Sequence, residues 1–167
     1  KQDGFIDKII NSFAPAIFGY NDIKLSILLQ LAGGVKTQKR GDINLFLIGD
    51  PSMAKSELLK FASKLVTKSI YTSGRGSSAA GLTIGIVKMS DGRSIAQAGV
   101  LPMCDGGLAC IDEFDKMGEQ DRSAMHEAME QQTVSIAKAG IAMTLPSRTS
   151  VRAAANPKWG MYDRDNS

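Results

Sequence analysis

The 167-residue sequence holds only two cysteines, one histidine and one tryptophan. Cys104 and Cys110 are too few for a metal-binding cysteine pattern, and without a secretory context they read as reduced thiols, Cys110 inside an apolar strand. The one histidine, His126, falls off the stripe made by Met125 and Met129, so it is expected to be an exposed helical residue without chemistry. The methionines read as core filling rather than a cofactor box. No run approaches the ~18 apolar residues of a membrane helix, and the polar start Lys1-Gln2-Asp3 opens no signal peptide, so an intracellular protein with no membrane partner is expected. A strong charge imbalance is also missing: a net charge of +3 permits nucleic-acid binding without arguing for it. Internal repeats and low-complexity segments are absent as well. What is present is 43% hydrophobic residues, enough at this length for one domain with a real core and too little to expect two.

Phe5, Ile6, Ile9, Ile10 and Phe13 give a weak helical period that breaks at Ala14-Pro15. A loop through Ile17, Phe18, Gly19 and Tyr20 leads to a second helix, with Asn21 or Asp22 as its cap and Ile23, Ile27, Leu28 and Leu31 on one face, ended by Gly33-Gly34. After a basic linker at 36–40 come a strand at 42–48, a helix at about 55–67, and a second strand at about 70–72. That strand runs into Gly74-Arg75-Gly76, a superficial likeness to a dinucleotide fingerprint, because the next acidic residue, Asp91, falls in a turn. Two hairpins interrupt the alternation. One turns at Asp91-Gly92 between Ile84, Ile86 and the return 94–97; the other has its tip at Lys138-Ala139-Gly140. Between them lie an apolar strand at 108–111 and a helix at about 120–131, and a last strand at 149–155 ends at Asn156-Pro157. Repeated strand–helix units predict an α/β fold, a parallel sheet with helices on both faces.

Three places carry chemistry. At Gly49-Asp50-Pro51-Ser52-Met53-Ala54-Lys55-Ser56 an apolar strand gives way to a helix, the setting of a phosphate-binding loop. There Lys55 would reach the outer phosphates of a nucleotide and the Ser56 hydroxyl a magnesium ion. Ala54 stands where the usual pattern has a second glycine; it requires a negative φ or a local offset of roughly 1 kcal/mol for a strained one. The second place is the strand end Asp112-Glu113, where Asp112 could hold magnesium and Glu113 accept a proton from the attacking water. The third is Asn156, whose amide could orient that water or touch a γ-phosphate.

With these in register the chain resembles the ATPase core of a minichromosome maintenance (MCM) replicative helicase, a hexameric AAA+ motor. The resemblance rests on Gly-Asp-Pro-x-x-Ala-Lys-Ser at 49–56, Tyr71-Thr-Ser-Gly-x-Gly-Ser-Ser-Ala-Ala-Gly81 and Asp105-Gly-Gly-x-x-Cys-Ile-Asp-Glu-Phe-Asp-Lys-Met117. It continues through His126-Glu-Ala-Met-Glu-Gln-Gln-Thr-Val-Ser-Ile-Ala-Lys-Ala-Gly-Ile141 and Ala153-Ala-Ala-Asn-Pro157. It runs from about Ile17 to Asp163, and the family places alanine at position 54. The stretch 131–136 is worded more like archaeal than eukaryotic members, implying a cytoplasmic protein in the first case and a nuclear one in the second.

The resemblance implies an AAA+ P-loop core at 41–167, with hairpin insertions at about 82–99 and 133–145, and a helical and linker segment at 1–40. It makes 49–56 the Walker A loop, with Glu57 following it in the ATP-binding set, Asp112 and Glu113 the Walker B pair, Asn156 the sensor, and Ser56 and Asp112 the Mg2+ ligands. Ile17, Phe18 and Gly19 resemble the segment lining the adenine pocket. Lys138 would touch DNA in the central channel of a homo- or hetero-hexamer, with Lys88 and Arg93 on the other hairpin next and Arg148 and Arg152 after them. The family's arginine finger, fifth core strand and helical lid are not in this sequence, so this stretch alone is expected to bind ATP better than it hydrolyses it. Two other readings stay open: a magnesium-chelatase-like AAA+ ATPase acting on protein, and a nucleotide-binding ring scaffold without turnover.

Overall fold

The computed structural model describes residues 3–35 and 41–157; the basic linker at 36–40 and the expected end of the family match lie outside them. In chain order the elements are α1 (Asp3–Ser12), α2 (Asn21–Ala32), β1 (Leu45–Ile48), α3 (Lys55–Leu65), β2 (Ser69–Ser73), α4 (Ala79–Leu82), β3 (Ile84–Lys88), β4 (Ser94–Ala98), α5 (Val100–Met103), β5 (Leu108–Asp112), α6 (Glu119–Gln131), β6 (Thr133–Lys138), β7 (Ile141–Pro146) and β8 (Ser150–Ala155). β1, β8, β5 and β2 form, in that order, one parallel sheet, while β3–β4 and β6–β7 are separate antiparallel hairpins.

The sheet is parallel because β1, β2 and β5 are each followed by a segment that packs back on a face, and the middle strand β5 reads as a continuous apolar run for the same reason. Leu108, Ala109, Cys110 and Ile111 of β5 are all buried. Their side chains alternate between faces: Leu108 and Cys110 join Leu59 and Ala154 under α3, while Ala109 and Ile111 join Val151, Ala153, Met125 and Ala128 under α6. A third cluster of Phe13, Ile27, Leu58 and Ala62 fastens α2 and the segment between α1 and α2 to α3, with Phe13 meeting Phe61 edge-on at 5.0 Å. Burial raises the pKa of both Cys104 and Cys110, the latter to about 11, which keeps both as thiols.

Expected and observed elements differ mainly at their ends. The strand expected at 42–48 is paired only over Leu45–Ile48, because the Asn44 side chain, not its backbone, meets β8, accepting from the Val151 N–H at 2.9 Å. Neither Asn21 nor Asp22 caps α2; both lie inside it, and Tyr20 occupies the cap position at φ 56° with no side-chain bond. The loop before α2 is instead held by buried Lys24, whose ammonium donates to the carbonyls of Ile17 (2.7 Å) and Ala14 (3.3 Å). Lys138 ends β6, and the β6–β7 turn is Ala139-Gly140, both at positive φ (54° and 77°), the handedness that matches strand twist in a two-residue hairpin. β3 lies against β6 and β4 against β7, so the two hairpins stand side by side.

Candidate active site

All the chemistry-bearing segments leave the sheet at its C-terminal edge. β1 feeds the loop 49–56, β5 ends at Asp112, and β8, lying between them, ends at Ala155 next to Asn156. The sheet order therefore brings together residues about sixty and a hundred positions apart in the chain. They line one cavity of about 450 Å3: residues 51–57 on one side, Asp112, Glu113 and Asp115 on another, and Ala154, Ala155 and Asn156 between.

The loop is built by left-handed residues. Ser52 (φ 67°) and Ala54 (φ 54°) both take positive φ, so alanine here sits in the strained alternative. The gain is a backbone that curls its N–H groups toward the start of α3, where the helix dipole favours an anion. Ala54 is the residue before the helix, and its carbonyl accepts from the Leu58 N–H at 3.0 Å, so the strained turn is locked into the first helical bond. Lys55 folds back, its ammonium donating to the carbonyls of Gly49 (2.6 Å) and Asp50 (2.7 Å). Glu57, on the exposed first turn, pairs with Lys60 at 3.0 Å.

On the opposite wall both carboxylates are held by hydroxyls of β2, which pairs with β5 so that Ser73 is level with Asp112. The Tyr71 phenol donates to Asp112 Oδ2 at 2.6 Å and the Ser73 hydroxyl to Glu113 Oε2 at 2.7 Å, while Asp112 Oδ1 accepts the Glu113 N–H at 2.8 Å. Partial burial pushes the Asp112 pKa up, but hydrogen bonds from Ser56 and Tyr71 outweigh it and the net direction is down. Burial, then the bond to Asp112, raise that of Tyr71. Glu113 is at φ 49°, and Gly74 lies so close beneath it that a Cβ there would stand 2.7 Å from the Glu113 carbonyl. Glycine at 74 is what lets β2 pass under the acidic turn. Asp115 accepts the Asn156 N–H at 3.1 Å and pairs with Lys116 at 3.0 Å; burial works against ionisation, yet these donors leave its pKa lowered.

This donor set fits a magnesium-bound nucleotide. A hydroxyl (Ser56) and a carboxylate (Asp112) from different elements line the same cavity, as hard oxygen ligands of one small cation would, and a curled loop with one ammonium faces them.

Not every expected residue joins this group. Ile17, Phe18 and Gly19 are absent from the cavity lining: Ile17 packs with the α1–α3 cluster and Phe18 is 98% exposed. Lys138 and Lys88 are exposed at the ends of β6 and β3. Arg93 is exposed but engaged, its guanidinium 2.6 Å from Asp91, whose pKa it lowers. Arg152 is corrected outright as a DNA candidate, because its β8 position faces inward and it has no exposed surface. Arg148 is tied to Asp105 through two bonds of 2.8 and 3.0 Å. His126 is exposed on α6, 3.9 Å from Glu130. Sequence reading assigned no role to Tyr71, Ser73 or Asp115; a strand ending in alternate hydroxyls, beside one ending in carboxylates, was the available signal.

Fold and site together define an AAA+-type P-loop core, a parallel α/β sheet presenting a phosphate loop and an acidic pair at one edge. The chain belongs to the MCM P-loop domain family, whose model matches residues 1–167. It is 56% identical over 162 residues to DNA replication licensing factor mcm5 of Dictyostelium discoideum, covering 93% of this chain and 21% of that protein. Against DNA replication licensing factor MCM6 of Arabidopsis thaliana it is 53% identical over 167 residues (96% and 20%), and against mcm7 of Schizosaccharomyces pombe 50% over 165 (94% and 22%). The chain thus spans about a fifth of the length of these relatives. All three are eukaryotic, and the archaeal flavour read into 131–136 finds no support among them.

Proposed function

We propose that this chain is the ATP-hydrolysing core of a replicative DNA helicase subunit that works in a ring of MCM subunits in the nucleus. The observation that carries the reading is the cavity in which loop residues 51–56, Asp112, Glu113 and Asn156 meet. In it the loop N–H groups and Lys55 bind the phosphates, Lys55 giving up two loop carbonyls to do so. Ser56 and Asp112 would hold Mg2+, which when bound neutralises charge on the phosphates. Glu113, fixed by Ser73, takes the proton of the attacking water, and Asn156, anchored through Asp115, positions that water or the γ-phosphate. The two adjacent hairpins carry Lys138 and Lys88 on exposed ends, suited to a sugar–phosphate backbone with little sequence readout. A general base at Glu113 disfavours a scaffold without turnover, which needs none.

The test is ATP turnover and single-stranded DNA binding by assembled full-length rings. Glu113→Gln is expected to keep ATP binding and lose turnover, and Lys138→Ala to weaken DNA binding with a shallower salt dependence and unchanged ATP affinity. Unchanged turnover in the first variant would remove the base assignment. Equal DNA binding in the second would favour a protein-remodelling motor instead.

A further inference from the structure

We infer that Tyr71 is a positioning residue for the metal-side carboxylate: its phenol, reaching across from β2, holds Asp112 in the orientation in which Asp112 and Ser56 share a divalent cation. The inference rests on the nucleotide-site reading above.

Parallel pairing sets Tyr71 level with Cys110, two residues before Asp112, so the two side chains leave the sheet on the same face and the ring leans along the strand to reach Oδ2 at 2.6 Å. Core packing does not explain the ring. It is 36% exposed, belongs to none of the three apolar clusters and does not line the nucleotide cavity, so direct contact with nucleotide is not its role. Phenylalanine would cover the same apolar surface. What the hydroxyl adds is one donor, on Oδ2, to a carboxylate whose Oδ1 already accepts from the Glu113 N–H.

An ionised carboxylate offers about four acceptor sites, so the Tyr71 phenol on Oδ2 and the Glu113 N–H on Oδ1 hold both oxygens and leave the remaining directions open toward Ser56 and the cavity. The ring is itself located from above, with the Lys60 ammonium 6.0 Å from its centroid and tied at 3.0 Å to Glu57. Donors that orient metal-binding carboxylates typically account for about 10–100-fold in metal affinity or activity.

The experiment is calorimetric titration of ADP into wild-type chain and Tyr71→Phe, in magnesium chloride over a range of concentrations and in EDTA. Tyr71→Phe is expected to raise the magnesium concentration for half-maximal enhancement of ADP affinity by about tenfold or more, with the affinity in EDTA unchanged. In an Asp112→Asn background the same substitution is expected to add nothing, since the group it acts through is gone. A magnesium dependence equal to wild type, or an affinity that falls alike with and without the metal, overturns the assignment while leaving the nucleotide site standing. Wild type without magnesium enhancement, matched by Lys55→Ala, overturns the nucleotide-site reading itself and Tyr71 with it.

Discussion

Arg152 stands in the strand that ends at Asn156, entirely out of solvent, and its side chain leaves the α3 face of the sheet, level with Cys110, to reach α2. Its Nε donates to Gln30 Oε1 at 2.7 Å and one terminal nitrogen reaches the Ile27 carbonyl at 3.4 Å, while the other has no hydrogen-bond partner. Among the described residues no carboxylate pairs with it. Burial pushes its pKa down from 12.5 to about 10. At about 1.4 kcal/mol per pH unit that corresponds to roughly 3 kcal/mol of penalty on the charged form. Replacing it by methionine removes that penalty and keeps the apolar stem. The loss on the other side is a donor for Gln30 Oε1, which left buried costs about 1–3 kcal/mol.

Arg152→Met is therefore expected to lie between neutral and about 2 kcal/mol more stable than wild type. The partner substitution behaves differently. Gln30 also donates to the Ile43 and Val151 carbonyls, at 2.9 and 2.8 Å, so Gln30→Met takes a partner from a buried cation and leaves one buried and one part-buried acceptor unpaired. Its cost is about 3–5 kcal/mol. Urea unfolding reads both as shifts in midpoint at unchanged slope. If Arg152→Met loses more stability than Gln30→Met, the cation is a net stabiliser and the reasoning from desolvation is wrong.

Two further outcomes follow from pairs elsewhere. Hydrogen bonds from Arg148, opposed by slight burial, hold the Asp105 carboxyl down at about 2, below its unfolded value. Asp105→Asn is expected to cost about 1 kcal/mol or less at pH 7 once solvent screening is allowed for. A depressed folded pKa contributes fully above about pH 4 and is lost as pH falls toward 2, so thermal unfolding of the two proteins should converge in that window. Ala54→Gly relieves a left-handed alanine at φ 54° and is expected to raise stability by up to about 1 kcal/mol, whereas Ala54→Val lowers it, as thermal unfolding would report.

Local pattern made most of the fold legible. β5 announced itself as four apolar residues ending in two acids, and the turn at Asp91-Gly92 and the tip at Ala139-Gly140 placed both hairpins, since each needs positive φ where glycine stands. The cap of α2 was not legible, because what holds that junction is Lys24 from within the helix, reaching back seven and ten residues to two carbonyls. Arg152 misled for a related reason: in a strand buried on both faces, period two marks which side a residue faces but not whether that side sees water.

The candidate site divides along the same line. Lys55, Ser56, Asp112 and Glu113 follow from strand ends and residue type, whereas the contacts of Tyr71 and Ser73 come from lateral pairing of β2 with β5, about forty residues away. No periodicity encodes which strand lies beside which. The strained residues Ser52, Ala54 and Glu113 sit where strands of one sheet hand over to turns at one edge. Each such residue is unfavourable by about 1–3 kcal/mol and persists only where its surroundings leave no alternative. Here the surroundings are β1, β8 and β5, in fixed register and, in the latter two, almost wholly buried. The buried middle strands β8 and β5 thus hold the acidic side of this edge, while β1, an outer strand in register with β8, sets where the phosphate loop begins.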